Sequence, residues 1–311
     1  MDNLSHFKEQ LNNTNRSVRY RAVYRVSKHD TSHAMELLAG VLQSDRDEDI
    51  RAVAAKLIST YAQPEVVNHL AQALQQDRRA KVRRACAEAL GRYEHSDVAT
   101  NALASALTDR SKHVRRTAVQ SLRELRDNSV LPALVGVLLG DADSYVRWET
   151  AKTLEALQNP DATAALVEAL AADANSYVRY AAATALGVFE DIDLLQPLSD
   201  ALDSDDNSYV RYAAACSLGD LLMVEVSPQL VRALLYGLDD SNPQVWNAIA
   251  ERLWACGSEV MPIVIDTLPS EDYRLRRVAL KAVLWLSVEY DDEDMDIAMP
   301  FELRTTWGWW N

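Results

Sequence analysis

The pair Val-Arg or Ile-Arg stands at residues 18–19, 50–51, 82–83, 114–115, 146–147, 178–179 and 210–211, and every step is 32 residues. A strict period of this length marks a chain built from stacked copies of one small unit, which removes most globular topologies from consideration. Numbered by these pairs, the chain has seven regular repeats. Two looser copies follow, Val245-Trp246 after 35 residues and Leu275-Arg276 after 30. Copying is closest between NSYVRYAAATALG (175–187) and NSYVRYAAACSLG (207–219), which share eleven of thirteen letters.

Counting from each Val as zero, apolar or small residues recur at +4, +5 and +8: Ala22, Val23 and Val26; Ala182, Ala183 and Leu186; Ala214, Ala215 and Leu218. With +3 and +7 they form an arc of helical spacing. Ser144, Ser176 and Ser208, two residues before the Val, are expected to cap this helix. Gly91, Gly187 and Gly219 are expected to stop it. Leucines at −12 and −8, such as Leu38 and Leu42 or Leu166 and Leu170, mark an earlier helix. Each unit is therefore helix, short turn, helix. One such pair cannot bury its apolar face alone, whereas a stack can. The alanines from +3 to +7 allow close approach between copies. The predicted fold is all-α, a right-handed solenoid of about nine two-helix repeats with a 32-residue period. It is expected to form one domain over residues 1–290, degenerate from about 228, with an acidic, Trp-rich segment at 291–311 acting as a cap or as a docking arm.

The unit Leu-x3-Leu-x2-Asp-x4-Val-Arg-x2-Ala-x3-Leu-Gly resembles the HEAT-like repeats of the phycobilisome lyase type over roughly residues 1–290. The Thr-Pro-Leu-His signature of ankyrin repeats is absent. The resemblance implies that second helices line the concave surface. It also implies a structural ladder made of the Asp at −5 (Asp77, Asp109, Asp141, Asp173, Asp205) and the Arg at +1 (Arg83, Arg115, Arg147, Arg179, Arg211). In it, Asp caps the turn and Arg bonds to carboxylates or carbonyls of adjacent units. Repeats of this kind serve mostly as binding scaffolds, so the fold alone names no activity.

Positions −1 and +2 lie on the flank opposite the apolar arc. Repeats five to seven carry Tyr145 and Trp148, Tyr177 and Tyr180, Tyr209 and Tyr212 there; repeats three and four carry Lys81 and Arg84, His113 and Arg116. Stacking aligns these residues into a ridge that runs from basic to aromatic. Two readings stand. The rings pack on one another and on arginine stems, or they anchor a partner protein or peptide, since Tyr, Trp and Arg dominate binding hot spots. Charge divides the same way. Residues 1–127 hold 21 Lys+Arg against 16 Asp+Glu; residues 128–311 hold 11 against 30. The whole chain carries −14.

Enzyme signatures are missing. There is no G-x-x-x-x-G-K-[ST], G-x-G-x-x-G, Cys-x-x-Cys or H-E-x-x-H. The HEAT-like deoxyhypusine hydroxylases bind iron through His-Glu pairs, and none of the six histidines here precedes a Glu. No metal site and no catalytic residue is expected. Nucleic acid is disfavoured, because the acidic rear repels a polyanion and leaves only the front repeats to bind one. The lyase resemblance implies an alternative: a bilin lyase subunit or bilin carrier acting on phycobiliproteins, with the bilin held by arginines, a carboxylate and aromatic walls. Otherwise no cofactor is expected. The N-terminus lacks a basic segment followed by an apolar run, and the three cysteines are far apart, so a cytoplasmic location without membrane contact is expected.

Overall fold

The computed structural model describes residues 4–286, apart from 30, 62 and 190. The acidic run at 291–296 and Trp307, Trp309 and Trp310 lie outside the described residues. Among the described residues there is no strand, and the helices run in nine pairs. These are α1 (Leu4–Leu11) with α2 (Arg16–Val26), α3 (Ser32–Ser44) with α4 (Glu48–Ile58), and α5 (Pro64–Gln76) with α6 (Ala80–Leu90). Then come α7 (Asp97–Ala106) with α8 (Lys112–Leu125), α9 (Leu131–Gly140) with α10 (Ser144–Leu157), and α11 (Thr163–Ala172) with α12 (Ser176–Leu186). The last three pairs are α13 (Leu195–Ser204) with α14 (Ser208–Val224), α15 (Pro228–Gly237) with α16 (Pro243–Ala255), and α17 (Gly257–Thr267) with α18 (Tyr273–Leu286). Contacts divide the chain into two compact units, one up to Leu221 and one from Leu222 onward.

In the first unit the apolar arc is the core. Leu38, Leu42, Leu70, Leu122, Leu138, Leu154 and Leu166 are fully buried, as are Ala182, Ala183, Ala214 and Ala215. Most second helices of this unit pack closely on their successors. Small residues explain the close approach. The Ser121 hydroxyl donates to the Ala87 carbonyl at 2.9 Å, and the Ser217 hydroxyl donates to the Ala183 carbonyl at 2.9 Å, both across successive second helices.

Two local expectations are corrected. The serines at −2 are not the caps. The cap lies one residue earlier, where Asp143, Asn175 and Asn207 accept the N–H of Tyr145, Tyr177 and Tyr209 at 2.9–3.1 Å. Asp143 and Asn175 have extended backbone, which aims a short side-chain oxygen at the amide two residues on. Ser144 and Ser176 already have helical geometry and sit past that point. Of the glycines expected to stop these helices, Gly91 and Gly187 do stand at the C-caps of α6 and α12, whereas Gly219 does not end its helix. Gly91 (φ −61) and Gly187 (φ −62) are right-handed, and Gly219 lies inside α14. They are small because the next repeat is close: a Cβ on Gly91 would meet Ser121 Cβ at 2.8 Å, and one on Gly187 would meet Ser217 Oγ at 2.6 Å.

In the second unit α15 packs on α16, α17 and α18. Asn242 caps α16, and Pro243 occupies its first turn, where a missing N–H costs nothing. Asp239 pairs with Arg277 and, at 3.2 Å, with Lys281. No helix among the described residues is long and apolar enough to cross a membrane.

Candidate functional site

The repeated Arg and Asp come first, because they fix where every other second-helix side chain points. From Arg19 to Arg179, the +1 arginine reaches the −5 aspartate of the following repeat with Nε and Nη2 together. The pairs are Arg19–Asp45, Arg51–Asp77, Arg83–Asp109, Arg115–Asp141, Arg147–Asp173 and Arg179–Asp205, at 2.6–3.2 Å. From Arg51 to Arg211, Nη1 turns back to the carbonyl of the aspartate six residues earlier, at 2.7–3.0 Å. The same aspartates accept the N–H two residues on, as Ser111 to Asp109 and Asn175 to Asp173 do at 2.7 and 2.8 Å. One guanidinium thus bonds two successive turns, and the planar fork matches the carboxylate in two parallel bonds. Burial by itself pushes the carboxyls of Asp77, Asp109, Asp173 and Asp205 up. The facing guanidinium and the turn amide outweigh it and hold each below the usual carboxylate range. A feature repeated six times along the stack joins repeats and creates no unique chemistry.

The exposed positions of repeats two to four are mostly paired with their neighbours. Lys81 bonds Asp49 of the preceding repeat, and Arg79 reaches Glu48 at 3.0 Å. Lys112 reaches Asp143 of the following repeat at 2.9 Å. Arg116 Nε lies 3.8 Å from Glu149. Arg84 and His113 are exposed, and their side chains have no hydrogen bond or ion pair among the described residues.

Repeats five to seven differ. Tyr145, Tyr177 and Tyr209 are 62%, 69% and 62% exposed. Tyr212 is 36% exposed, and Trp148 and Tyr180 are half-buried. Lys152 Nζ stands over the Trp148 ring at 4.5 Å. Among the described residues, the rings of Tyr145, Tyr177, Tyr180 and Tyr209 touch no other ring and their hydroxyls make no hydrogen bond. Geometry explains this. Packed helices sit about 8–10 Å apart, whereas ring pairs need centroids within about 4.5–7 Å. Equivalent rings on successive helices therefore form a comb with open gaps.

Sequence reasoning overlooked Glu149. It stands at +3, where other second helices place Ala85, Ala181 or Ala213, and it is 2% exposed. Its carboxylate accepts Arg123 Nη1 at 2.8 Å and Gln120 Nε2 at 3.0 Å, both from α8. A charged letter inside the small-residue arc was the available signal. The result is a buried carboxylate paired with a half-buried arginine, beside Trp148, at the junction between the basic and aromatic sectors. Glu155 nearby has its carboxyl pushed up by burial.

Burial pushes the Cys86 thiol up, away from its reactive form. Among the described residues no group of three His, Cys, Asp or Glu side chains is placed to hold a metal ion.

No curated protein matches the sequence. The family model for HEAT repeats matches residues 4–91, 67–149 and 134–219. Among solved structures, Kap95p bound to RanGDP is similar at 14% identity and a TM-score of 0.62, over 92% of this chain and 46% of that one. YibA of Escherichia coli is similar at 22% identity and a TM-score of 0.53, over 81% of this chain and 92% of that one. The CpcE–CpcF phycocyanin lyase of Nostoc is 22% identical over 77% of this chain and 94% of that one, with a TM-score of 0.43 that is too low to inform function. These likenesses concern the fold.

Proposed function

The chain belongs to the HEAT repeat family, and we propose that it is a non-enzymatic binding protein whose second-helix face in repeats five to seven holds a partner protein or peptide. One observation carries this reading: the same position in three successive repeats presents a tyrosine that is more than half exposed, whose ring meets no other ring and whose hydroxyl makes no hydrogen bond among the described residues. Aligned exposed aromatics of this kind mark interaction sites on soluble proteins. Tyr145, Tyr177 and Tyr209 are the anchors. Trp148, Tyr180 and Tyr212 form the shallower wall between them. Arg84 and His113, which keep open side chains, extend the face toward the front repeats, while Lys81 and Arg116 serve mainly their neighbours.

The test compares affinity capture by the native chain and by the triple variant Tyr145→Ala/Tyr177→Ala/Tyr209→Ala, with Leu139→Ser, an exposed change on a first helix, as control. Proteins retained by the native chain and the control should be lost by the triple variant while helical circular dichroism is unchanged. Equal capture by all three removes this face from the function. A bilin competes for the same face as a ligand class. Mixing the chain with phycocyanobilin separates the two readings, since the peptide reading expects no shift in visible absorbance.

A further inference from the structure

Resting on that reading, we propose that the bound segment is an extended, cationic peptide with Lys or Arg at every third residue, its cations seated on the faces of Tyr145, Tyr177 and Tyr209. Charge and spacing each lead there.

From residue 128 to residue 221 the chain has four cations, Arg147, Lys152, Arg179 and Arg211, against fifteen carboxylates. All four cations are engaged. Arg147 bonds Asp173, Arg179 bonds Asp205 and Asp206, Arg211 bonds the Asp205 carbonyl, and Lys152 lies over Trp148. The carboxylates stay in excess, and some of them border the tyrosines directly. Asp143 caps the helix that begins beside Tyr145, although Lys112 of the preceding repeat pairs with it at 2.9 Å and offsets part of its charge. Asp206, three residues before Tyr209, is 89% exposed even with Arg179 beside it. Glu149 adds little to this field, because Arg123 already compensates it. A local excess of negative charge around aromatic faces attracts cations twice over, through the long-range field and through the negative face of each ring. An acidic peptide or a nucleic acid meets the same field as repulsion.

The comb fixes the spacing. Successive second helices stand about 8–10 Å apart. A polyproline II strand has three residues per turn and rises about 3.1 Å per residue, so every third side chain returns to one face about 9 Å further on. A β-strand returns side chains to one face at every second residue, about 6.6–6.8 Å apart, and drifts out of step with the comb. The polyproline II strand, in contrast, places i, i+3 and i+6 on three successive tyrosines.

The experiment uses the full chain and four labelled nine-residue peptides read by fluorescence anisotropy. They are (Lys-Pro-Pro) three times, a clustered isomer with the three Lys adjacent, and the Ser and Glu analogues of the spaced peptide. The spaced Lys peptide should bind about tenfold more tightly than the clustered isomer, the size expected when cation–ring seats are lost. Its affinity should fall as salt rises, and the Ser and Glu peptides should not bind. In the triple tyrosine variant the spaced Lys peptide should lose at least about tenfold. If the Ser or Glu peptide binds equally well and still needs the tyrosines, the cationic assignment is wrong and the face remains the site. Equal binding of the spaced and clustered peptides overturns the spacing. Binding of the Lys peptide that survives in the triple variant overturns both the proposal and the face. No binding by any peptide overturns the proposal, and affinity capture then decides the face separately.

Discussion

Repeats one to four and repeats five to seven are built alike and present different surfaces. The ladder from Arg19–Asp45 to Arg179–Asp205 crosses both groups with the same bonds. The buried alanines and leucines do the same. At −1 and +2 the groups part. Lys81 is tied to Asp49 in the front group, whereas Tyr145, Tyr177 and Tyr209 stand more than half exposed in the rear group. Conserving the joint while varying the flank lets one architecture carry unrelated surfaces. What stays the same in every copy holds the stack, and what changes between copies faces outward.

The largest effect should come from the joint, and equally in both groups. Asp109→Ala leaves the buried Arg83 guanidinium, and Asp173→Ala the largely buried Arg147 guanidinium, without its carboxylate, so each should lower stability by about 3–5 kcal/mol in urea unfolding followed by helical circular dichroism. A cost confined to one group would break the equivalence of the ladder. Ala182→Leu in the rear and Gly91→Ala in the front should each cost about 1–3 kcal/mol in the same assay, because neither site has room for added atoms.

Acid should act on the joints of both groups together. The folded carboxyls of Asp77, Asp109, Asp173 and Asp205 lie below their usual range. Their contribution is therefore complete above about pH 4, the unfolded value, and is lost as pH falls through the lower folded values. An acid titration by circular dichroism should show loss of helix below that point at low salt. Stability that rises on acidification would contradict the ladder. The smallest effect belongs to the flank: Lys81→Ala breaks an exposed pair and should leave the urea midpoint in place, because solvent and salt already screen such pairs. Between these extremes lies Glu149→Gln, which keeps the shape and removes the charge that faces Arg123. It should weaken binding of a cationic peptide at Trp148 and Tyr145 by a few fold, by freeing positive charge nearby.

Much of this was legible in the sequence because it is written many times. Seven Val-Arg or Ile-Arg pairs in one register give the period, and the apolar arc gives about nine helix pairs. Single features were harder to read. The cap was placed on serine because Asp and Asn at −3 differ from Ser at −2 by one residue, and only the extended backbone of Asp143 and Asn175 decides between them. Glycine near the helix end reads as a stop, which holds for Gly91 and Gly187 and fails for Gly219. The reason for glycine at 91 and 187, a serine of the next repeat at van der Waals range, depends on contacts that no local pattern records. Glu149 occurs once, so periodicity passes over it. The open gaps between tyrosines follow from the distance between helices, which spacing along the chain does not give.

The central claim is that Tyr145, Tyr177 and Tyr209 are spare to the fold and kept for a partner. Urea unfolding of the triple alanine variant tests it most directly. The account expects a midpoint matching the native chain to within about 0.5 kcal/mol per site, as for other exposed positions. A loss of about 3–5 kcal/mol per ring, the cost of emptying a core aromatic site, would mean that the rings hold the stack together and that the binding face is not there.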